Sequence, residues 1–355
     1  MAASGALSFA GAPMDWNGIT VLPGWKDGIG NDILGGHYRH TRADYLITLC
    51  DAFVLDPQLL KMMNVAHWMP VDCEPMNYRD QITVKEGHGY PIAMSKFGQA
   101  EMKKAGFDAG YIPHGIDTTI FAPPENRAEQ RARLGITDET FLIGMNAYNK
   151  DVIRKGFPEQ FMGFAAFHKK CPDSRLLVHS AIADPSAVDL QALAVACGIE
   201  KVTMFADQYG YACGMLSPEH LASWYGALDL LTACAFGEGF GIPIIEAQAC
   251  GTPVVVTDAS AMSELCGAGW KVPGTKFWVP AHRGWWRRPD VPRIAKAYEA
   301  AYNLAKGKPA ARPGHFRAME DMRAGAREFA MRYDADLVMA EYWKPMLEKL
   351  EGKLG

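Results

Sequence analysis

Two carboxylates, Glu238 and Glu246, stand with seven residues between them in the run Phe236-Gly-Glu-Gly-Phe-Gly-Ile-Pro-Ile-Ile-Glu246. The glycines at 237, 239 and 241 open backbone angles closed to other residues and let a ligand approach the main chain. Pro243 suits the first turn of a helix, where its missing N–H would be unpaired anyway. A helix starting there turns its N–H groups and positive dipole end toward an anion, most naturally a phosphate or diphosphate. Carboxylates beside such an anion would repel it, so they are expected to face neutral sugar or ribose hydroxyls. A nucleotide-sugar carries both kinds of group.

Such a site needs elements to hold it. Short apolar runs at 228–234 and 253–257 flank the glycine turn, which gives a strand–turn–helix–strand unit with its polar site at the first strand's carboxyl end. The same alternation of apolar runs and amphipathic segments along the chain predicts an α/β fold with mostly parallel sheets. Strands are expected near 19–22, 45–49, 65–69, 90–94 and 110–112, then near 141–145, 175–179, 202–205, 228–233 and 254–257. Helices are expected at 96–105, ended by Gly106, and at 157–169, 188–197, 218–227 and 242–250. A proline- and glycine-rich break at 113–124 marks a domain boundary. We therefore expect an amino-terminal domain over 1–121, a carboxyl-terminal domain over 122–330 and a final helix over 331–355.

Bulk properties narrow the function classes. The 355 residues suit about two domains, and 49% hydrophobic with 21% charged residues is ordinary for a globular protein. A formal net charge of -4 provides no basic field for nucleic acid. The eight cysteines are scattered without a CxxC pair, which reads as reduced thiols in a cytoplasmic protein rather than disulfides or a zinc site. Residues 1–11 lack a basic start and a sustained apolar core, and the apolar stretch 221–236 is interrupted by Asp229. Neither a signal peptide nor a transmembrane segment is expected. His37, His40 and Asp44 have a loose metal-like spacing but are read as a helix surface. The aromatic–basic cluster of Trp278, Trp285, Trp286, Arg287 and Arg288 is read as a loop whose tryptophans pack on the domain. Acceptor stacking or peripheral membrane contact is its alternative role.

The run from Glu238 to Val255 resembles the E-x7-E signature of retaining GT-B glycosyltransferases, specifically glycosyltransferase family 4. Three further segments share the resemblance: 111–123 with the family's interdomain segment, 216–231 with the elements leading into the signature, and Ala261-Met-Ser-Glu-Leu265 with the one after it. The resemblance implies two Rossmann-like domains with an interdomain cleft and a final helix that crosses back to the first domain. It implies a donor such as a UDP- or GDP-sugar, an acceptor that is a saccharide, lipid-linked or small molecule, and no metal cofactor. By the same resemblance Glu238 sits near the donor sugar and Glu246 accepts from ribose hydroxyls. Gly239, Phe240, Gly241 and Ile242 present backbone to sugar or phosphate, and Arg154 and Lys155 neutralise the departing diphosphate. His67, at the end of a strand, corresponds to the family histidine that contacts donor sugar or acceptor.

The family's other cation follows a glycine at the end of the domain's first strand, where this chain has Asn146-Ala-Tyr-Asn-Lys150. Asn149 joins the donor-binding set there, and Lys150 or Arg154 replaces the missing cation. The amino-terminal domain is expected to be shortened, because the first strand read from the sequence starts only at Ile19 and the family's opening strand and glycine-rich loop are not seen before it. Two readings follow. One is a retaining glycosyltransferase. The other is a nucleotide-sugar-binding GT-B protein without transferase activity, a partner subunit or degenerate enzyme.

Overall fold

The computed structural model describes residues 13–183, 186–309 and 316–354. They form two units. The first runs to Ile112 and includes Pro280–Gly284; the second comprises Pro113–Val279 and the chain from Trp285 onward. Segment 1–12, part of the stretch without a family counterpart, lies outside the described residues.

The first unit holds a four-stranded parallel sheet of Leu46–Leu49, Val65–Met69, Tyr90–Ala93 and Gly110–Tyr111, side by side in chain order. Its core gathers Met69, Val71, Met76, Val84, Ala93 and Met102. Ile19–Val21 is a strand, but it is not the first member of this sheet. It pairs antiparallel with Met14–Trp16 as a separate two-stranded ribbon. Asn17 and Gly18 take positive φ at the turn between them, the geometry that closes a tight hairpin.

The second unit is built on a six-stranded parallel sheet. Its spatial order is Gly269–Val272, Val254–Thr257, Leu230–Ala233, Phe141–Asn146, Ser174–His179 and Thr203–Phe205. Numbered along the chain this is 6-5-4-1-2-3, the Rossmann order, whose direction reverses between Phe141–Asn146 and Leu230–Ala233. The central strands Val254–Thr257 and Leu230–Ala233 are almost wholly buried, as a parallel sheet covered on both faces requires. Helix Phe157–His168 places Phe157, Phe161, Phe164 and Phe167 on one face, where they meet Ile294 and Tyr298 of helix Val291–Ala305. Each buried phenylalanine contributes roughly 2–3 kcal/mol. Gly163 lets the two helices touch, because a Cβ there would lie 2.6 Å from an Ile294 methyl.

Asp229 anchors the amino ends of the central strands Leu230–Ala233 and Phe141–Asn146. Its carboxylate accepts from the Leu142 N–H and pairs with Arg127 at 2.7 Å, Arg131 at 3.2 Å and Arg323 at 3.5 Å. The three guanidiniums also donate to the carbonyls of Ala227, Leu228 and Gly251, which close helices Pro218–Ala227 and Ile242–Ala249. Helix-end carbonyls carry partial negative charge. That charge helps balance three cations on one carboxylate.

Helix and strand elements absent from the sequence reading complete the unit. They include the edge strand Gly269–Val272, the hairpin Gly274–Val279 with Gly284–Pro289, and helices Arg127–Arg133, Val291–Ala305 and Met319–Ala330. The expected final helix is present as Ala335–Val338, a π turn over Met339–Trp343 and Lys344–Leu354. It groups with the second unit, where Ala335 N–H donates to Ile116 O and Gly115 lies against Ala335.

Candidate functional site

The strand-order reversal of the second sheet places two loops together at the carboxyl ends of its strands. One follows Phe141–Asn146 and carries Arg154 and Lys155; the other follows Leu230–Ala233 and carries Glu238. Phe236 N–H donates to Arg154 O at 2.7 Å, which stitches the loops side by side. Gly156 makes that approach possible. Its φ is +60°, and a Cβ would sit 2.5 Å from Cys234 O.

Gln160 fixes the same junction from below. Its Oε1 accepts from Thr232 Oγ1 at 2.7 Å and from Cys234 N–H at 3.0 Å, while its Nε2 donates to Lys155 O at 2.8 Å. Tyr298 OH donates to Thr232 Oγ1 at 2.7 Å, extending the brace into the core.

The outcome is a charge cluster. Glu238 receives Lys155 Nζ at 2.6 Å on one oxygen and Arg154 Nη1 at 2.9 Å on the other. Only 15% of the Glu238 side chain and 16% of the Lys155 side chain is exposed. Burial alone would raise the Glu238 pKa, but the two cations and their hydrogen bonds outweigh it and hold the carboxyl below its usual value. Two cations against one carboxylate leave a formal charge of about +1 for an incoming anion.

Glu238 is also held through its backbone. Its N–H donates to Ser260 Oγ at 3.1 Å, and Ser260 adopts φ +47°, an uncommon angle for a residue with a Cβ. Next along the chain, Gly241 takes φ +115° as the N-cap of helix Ile242–Ala249. Phe240 is buried and packs its ring on His114 at 5.1 Å and Tyr333 at 5.8 Å. Its side chain thus belongs to the core, and its backbone joins Gly239 and Gly241 at the helix start.

Glu246, one turn into that helix, belongs to a second network. Tyr225 OH donates to Glu246 Oε2 at 2.8 Å and accepts from Asn146 Nδ2 at 2.6 Å. Asn146 Oδ1 lies 3.1 Å from His179 Nδ1, so a proton on Nδ1 completes the chain. Burial pushes the Glu246 carboxyl up to about 7, partly offset by the Tyr225 hydrogen bond. Burial, the Glu246 charge and the bond to Glu246 together raise the Tyr225 phenol well above its usual value.

The residues expected from the sequence therefore separate into groups. Glu238, Arg154 and Lys155 meet. Glu246 stands on the same helix start with partners that went unrecognised: Tyr225, Asn146 and His179. Asn149 is fully buried, with its amide committed to Ala181 O, Val188 O and Val188 N–H. These bonds tie it to Ala181 and Val188. Lys150 is exposed.

His67 has a different surrounding from the one expected. It lies in the middle of Val65–Met69, fully buried in the first unit, with Nδ1 2.9 Å from Thr48 Oγ1 and its ring against Gly89. Burial lowers its pKa to about 4, so the ring is neutral near pH 7. Both faces of this strand are covered, and the ring fills the space above Gly89.

The tryptophan cluster forms a hairpin in place of the expected loop. Trp286 is buried, and Trp278 and Trp285 pack edge to face at 4.9 Å. Arg288 pairs with Glu159 at 2.9 Å, and Arg287 N–H donates to Phe236 O at 2.9 Å beside the charge cluster. No helix among the described residues is long and apolar enough to cross a membrane.

Residues 168–297 match the family Glycosyl transferases group 1, a span that holds Tyr225, Glu238 and Glu246. The lipopolysaccharide core biosynthesis mannosyltransferase LpsB of Rhizobium meliloti (strain 1021) is 30% identical over 161 residues, 44% of this chain and 43% of that protein. The chain spans less than half the length of the curated relatives it matches first. Among solved structures, sucrose-phosphate synthase from Thermosynechococcus elongatus is similar with a TM-score of 0.72 and 16% identity, over 97% of this chain and 87% of that one. Anabaena HepE in complex with UDP-glucose follows with a TM-score of 0.65 and 16% identity, over 90% and 82%. These likenesses show a GT-B fold of Rossmann-like α/β units.

Proposed function

We propose, from its likeness to glycosyltransferases and its GT-B fold, that this chain moves a sugar from a nucleotide-diphosphate-sugar to an acceptor hydroxyl with retention at the anomeric carbon. The carrying observation is the placement of Glu238 between Arg154 and Lys155, at the start of the helix that bears Glu246. A UDP- or GDP-sugar fits this reading, in line with the UDP-glucose bound by the neighbouring HepE structure.

On this reading the diphosphate draws Arg154 and Lys155 to itself and meets the helix start at Gly239, Phe240, Gly241 and Ile242. Released from one or both cations, Glu238 accepts from a hydroxyl of the donor sugar. Glu246, held by the buried Tyr225, receives the ribose. The acceptor oxygen bonds to the anomeric carbon on the face from which the diphosphate oxygen departs, and the acceptor proton passes to that oxygen. Both cations stabilise the charge that develops there, so the reading calls for no metal at the diphosphate. A donor of this kind and eight free cysteines fit a reducing, cytoplasmic setting.

A second reading, donor binding without transfer, draws on His67. The first unit's sequence-derived candidate for sugar contact is a packed core side chain. One experiment separates the readings. Nucleotide-sugars are screened by thermal shift, since a ligand of the native state raises apparent stability, and the donor that binds is offered to saccharide and lipid-linked acceptors. Transfer with the donor's anomeric configuration kept, seen by NMR, supports the first reading. Binding without product supports the second, and no shift with any UDP-, GDP- or ADP-sugar overturns both. A glycosyl adduct trapped on Glu238 would contradict same-face attack.

A further inference from the structure

The turn Pro280–Gly284 brings a histidine to a thiol and a carboxylate within the first unit. Asp72 and Cys73 follow the strand Val65–Met69, and one donor atom from each of Asp72, Cys73 and His282 lies within 4.8 Å of the others. His282 Nδ1 is 3.7 Å from Asp72 Oδ1. Two oxygen or nitrogen ligands of one tetrahedral zinc ion stand about 3.3–3.5 Å apart, and a sulfur slightly farther. A shift of about 1 Å would close the widest edge of this cluster.

The cluster is held on both sides. Tyr78 N–H donates to His282 O at 3.3 Å, and the Arg283 guanidinium lies 3.9 Å above the Tyr78 ring. Gly284 lets the turn rest directly on the thiol, since a Cβ there would come within 2.9 Å of both Cys73 Sγ and Pro75 O. A carboxylate, Asp72, stands beside the thiol. The buried thiol donates to Pro75 O at 3.4 Å.

We propose that Asp72, Cys73 and His282 bind one divalent zinc-like ion through a carboxylate oxygen, a thiolate and an imidazole nitrogen, with water as fourth ligand. The mixed oxygen, sulfur and nitrogen set selects a borderline ion such as Zn²⁺ over Mg²⁺ or Ca²⁺. Binding forms the sulfur–metal bond and releases the thiol proton to solvent. The ion clamps the Pro280–Gly284 turn onto the segment that carries Asp72 to Tyr78.

The test uses the full chain, stripped with a chelator and titrated with Co²⁺ and then Zn²⁺. One Co²⁺ per chain is expected, with a thiolate-to-cobalt charge-transfer band that Zn²⁺ abolishes, and a raised Tm with Zn²⁺. Cys73→Ser is expected to lose the band. Asp72→Asn and His282→Ala are expected to weaken Zn²⁺ binding by about tenfold or more. If Cys73→Ser does not fold, these two variants at part-exposed positions decide the question. Absence of the band in the parent protein overturns the proposal. So does its persistence in Cys73→Ser, which would place the thiolate elsewhere, or unchanged Zn²⁺ affinity in both other variants.

Discussion

At the scale of single residues, the two glutamates sit in opposite electrostatic environments. Glu238 is buried yet ionised, because Lys155 and Arg154 outweigh its desolvation. It therefore competes with any diphosphate for the same cations. Glu238→Gln is expected to bind the free nucleoside diphosphate about 5–10-fold tighter and to slow transfer by about 100-fold or more. Weaker or unchanged diphosphate binding by calorimetry would remove the competition. Glu246 has no such cation, and burial pushes its carboxyl up to about 7 from an ordinary 4.5. The folded protein thus keeps a proton that the unfolded chain has already lost, and stability falls as pH rises from about 4.5 to about 7. Glu246→Gln lacks this titration. Its Tm relative to the parent should be higher at pH 8 than at pH 5, while nucleotide affinity drops about tenfold. A Tm difference that does not change with pH contradicts the burial argument.

At the scale of elements, Gln160 connects the Lys155 loop to the end of Leu230–Ala233. Gln160→Ala is expected to lower stability by roughly 1–3 kcal/mol by leaving buried groups unpaired. Because Lys155 loses its support, the donor KM is expected to rise about tenfold. An unchanged KM with lowered Tm would make Gln160 purely structural. Much of this element layer is legible in the sequence. Residues 230–233, 242–249 and 254–257 follow local rules: a buried apolar run, a glycine then proline at a helix start, and another apolar run. The hairpin over 274–289 is not legible, since Lys276, Trp278, Arg287 and Arg288 do not alternate cleanly between apolar and polar. The Tyr225–Asn146–His179 chain joins residues from three separate elements, a long-range meeting that no spacing announces. The surroundings of His67 are hidden for another reason: Thr48 and Gly89, which it meets, reach it only after the strands pair.

At the scale of the molecule, charge placement follows burial more than count. Asp229 joins helix Arg127–Arg133, two sheet strands and helix Met319–Ala330 through three arginines. Asp229→Ala is expected to cost roughly 3–5 kcal/mol, the usual penalty for leaving buried charge without its partner. The exposed Lys170–Glu299 pair joins a turn to helix Val291–Ala305, but Lys170→Ala is expected to leave the denaturation midpoint unchanged. Equal losses in the two variants would contradict the ranking. The reversed strand order of the second sheet has a consequence for how this protein comes to be functional. Strand Phe141–Asn146 pairs on one side with Ser174–His179, next in sequence, and on the other with Leu230–Ala233, far along the chain. The cations belong to the early half and the glutamates to the late half, so neither half carries the site. Local pairings close quickly and distant ones slowly. During refolding, nucleotide capture should therefore lag behind recovery of helical circular dichroism, and the arrival of ligand affinity would time the docking of the two halves.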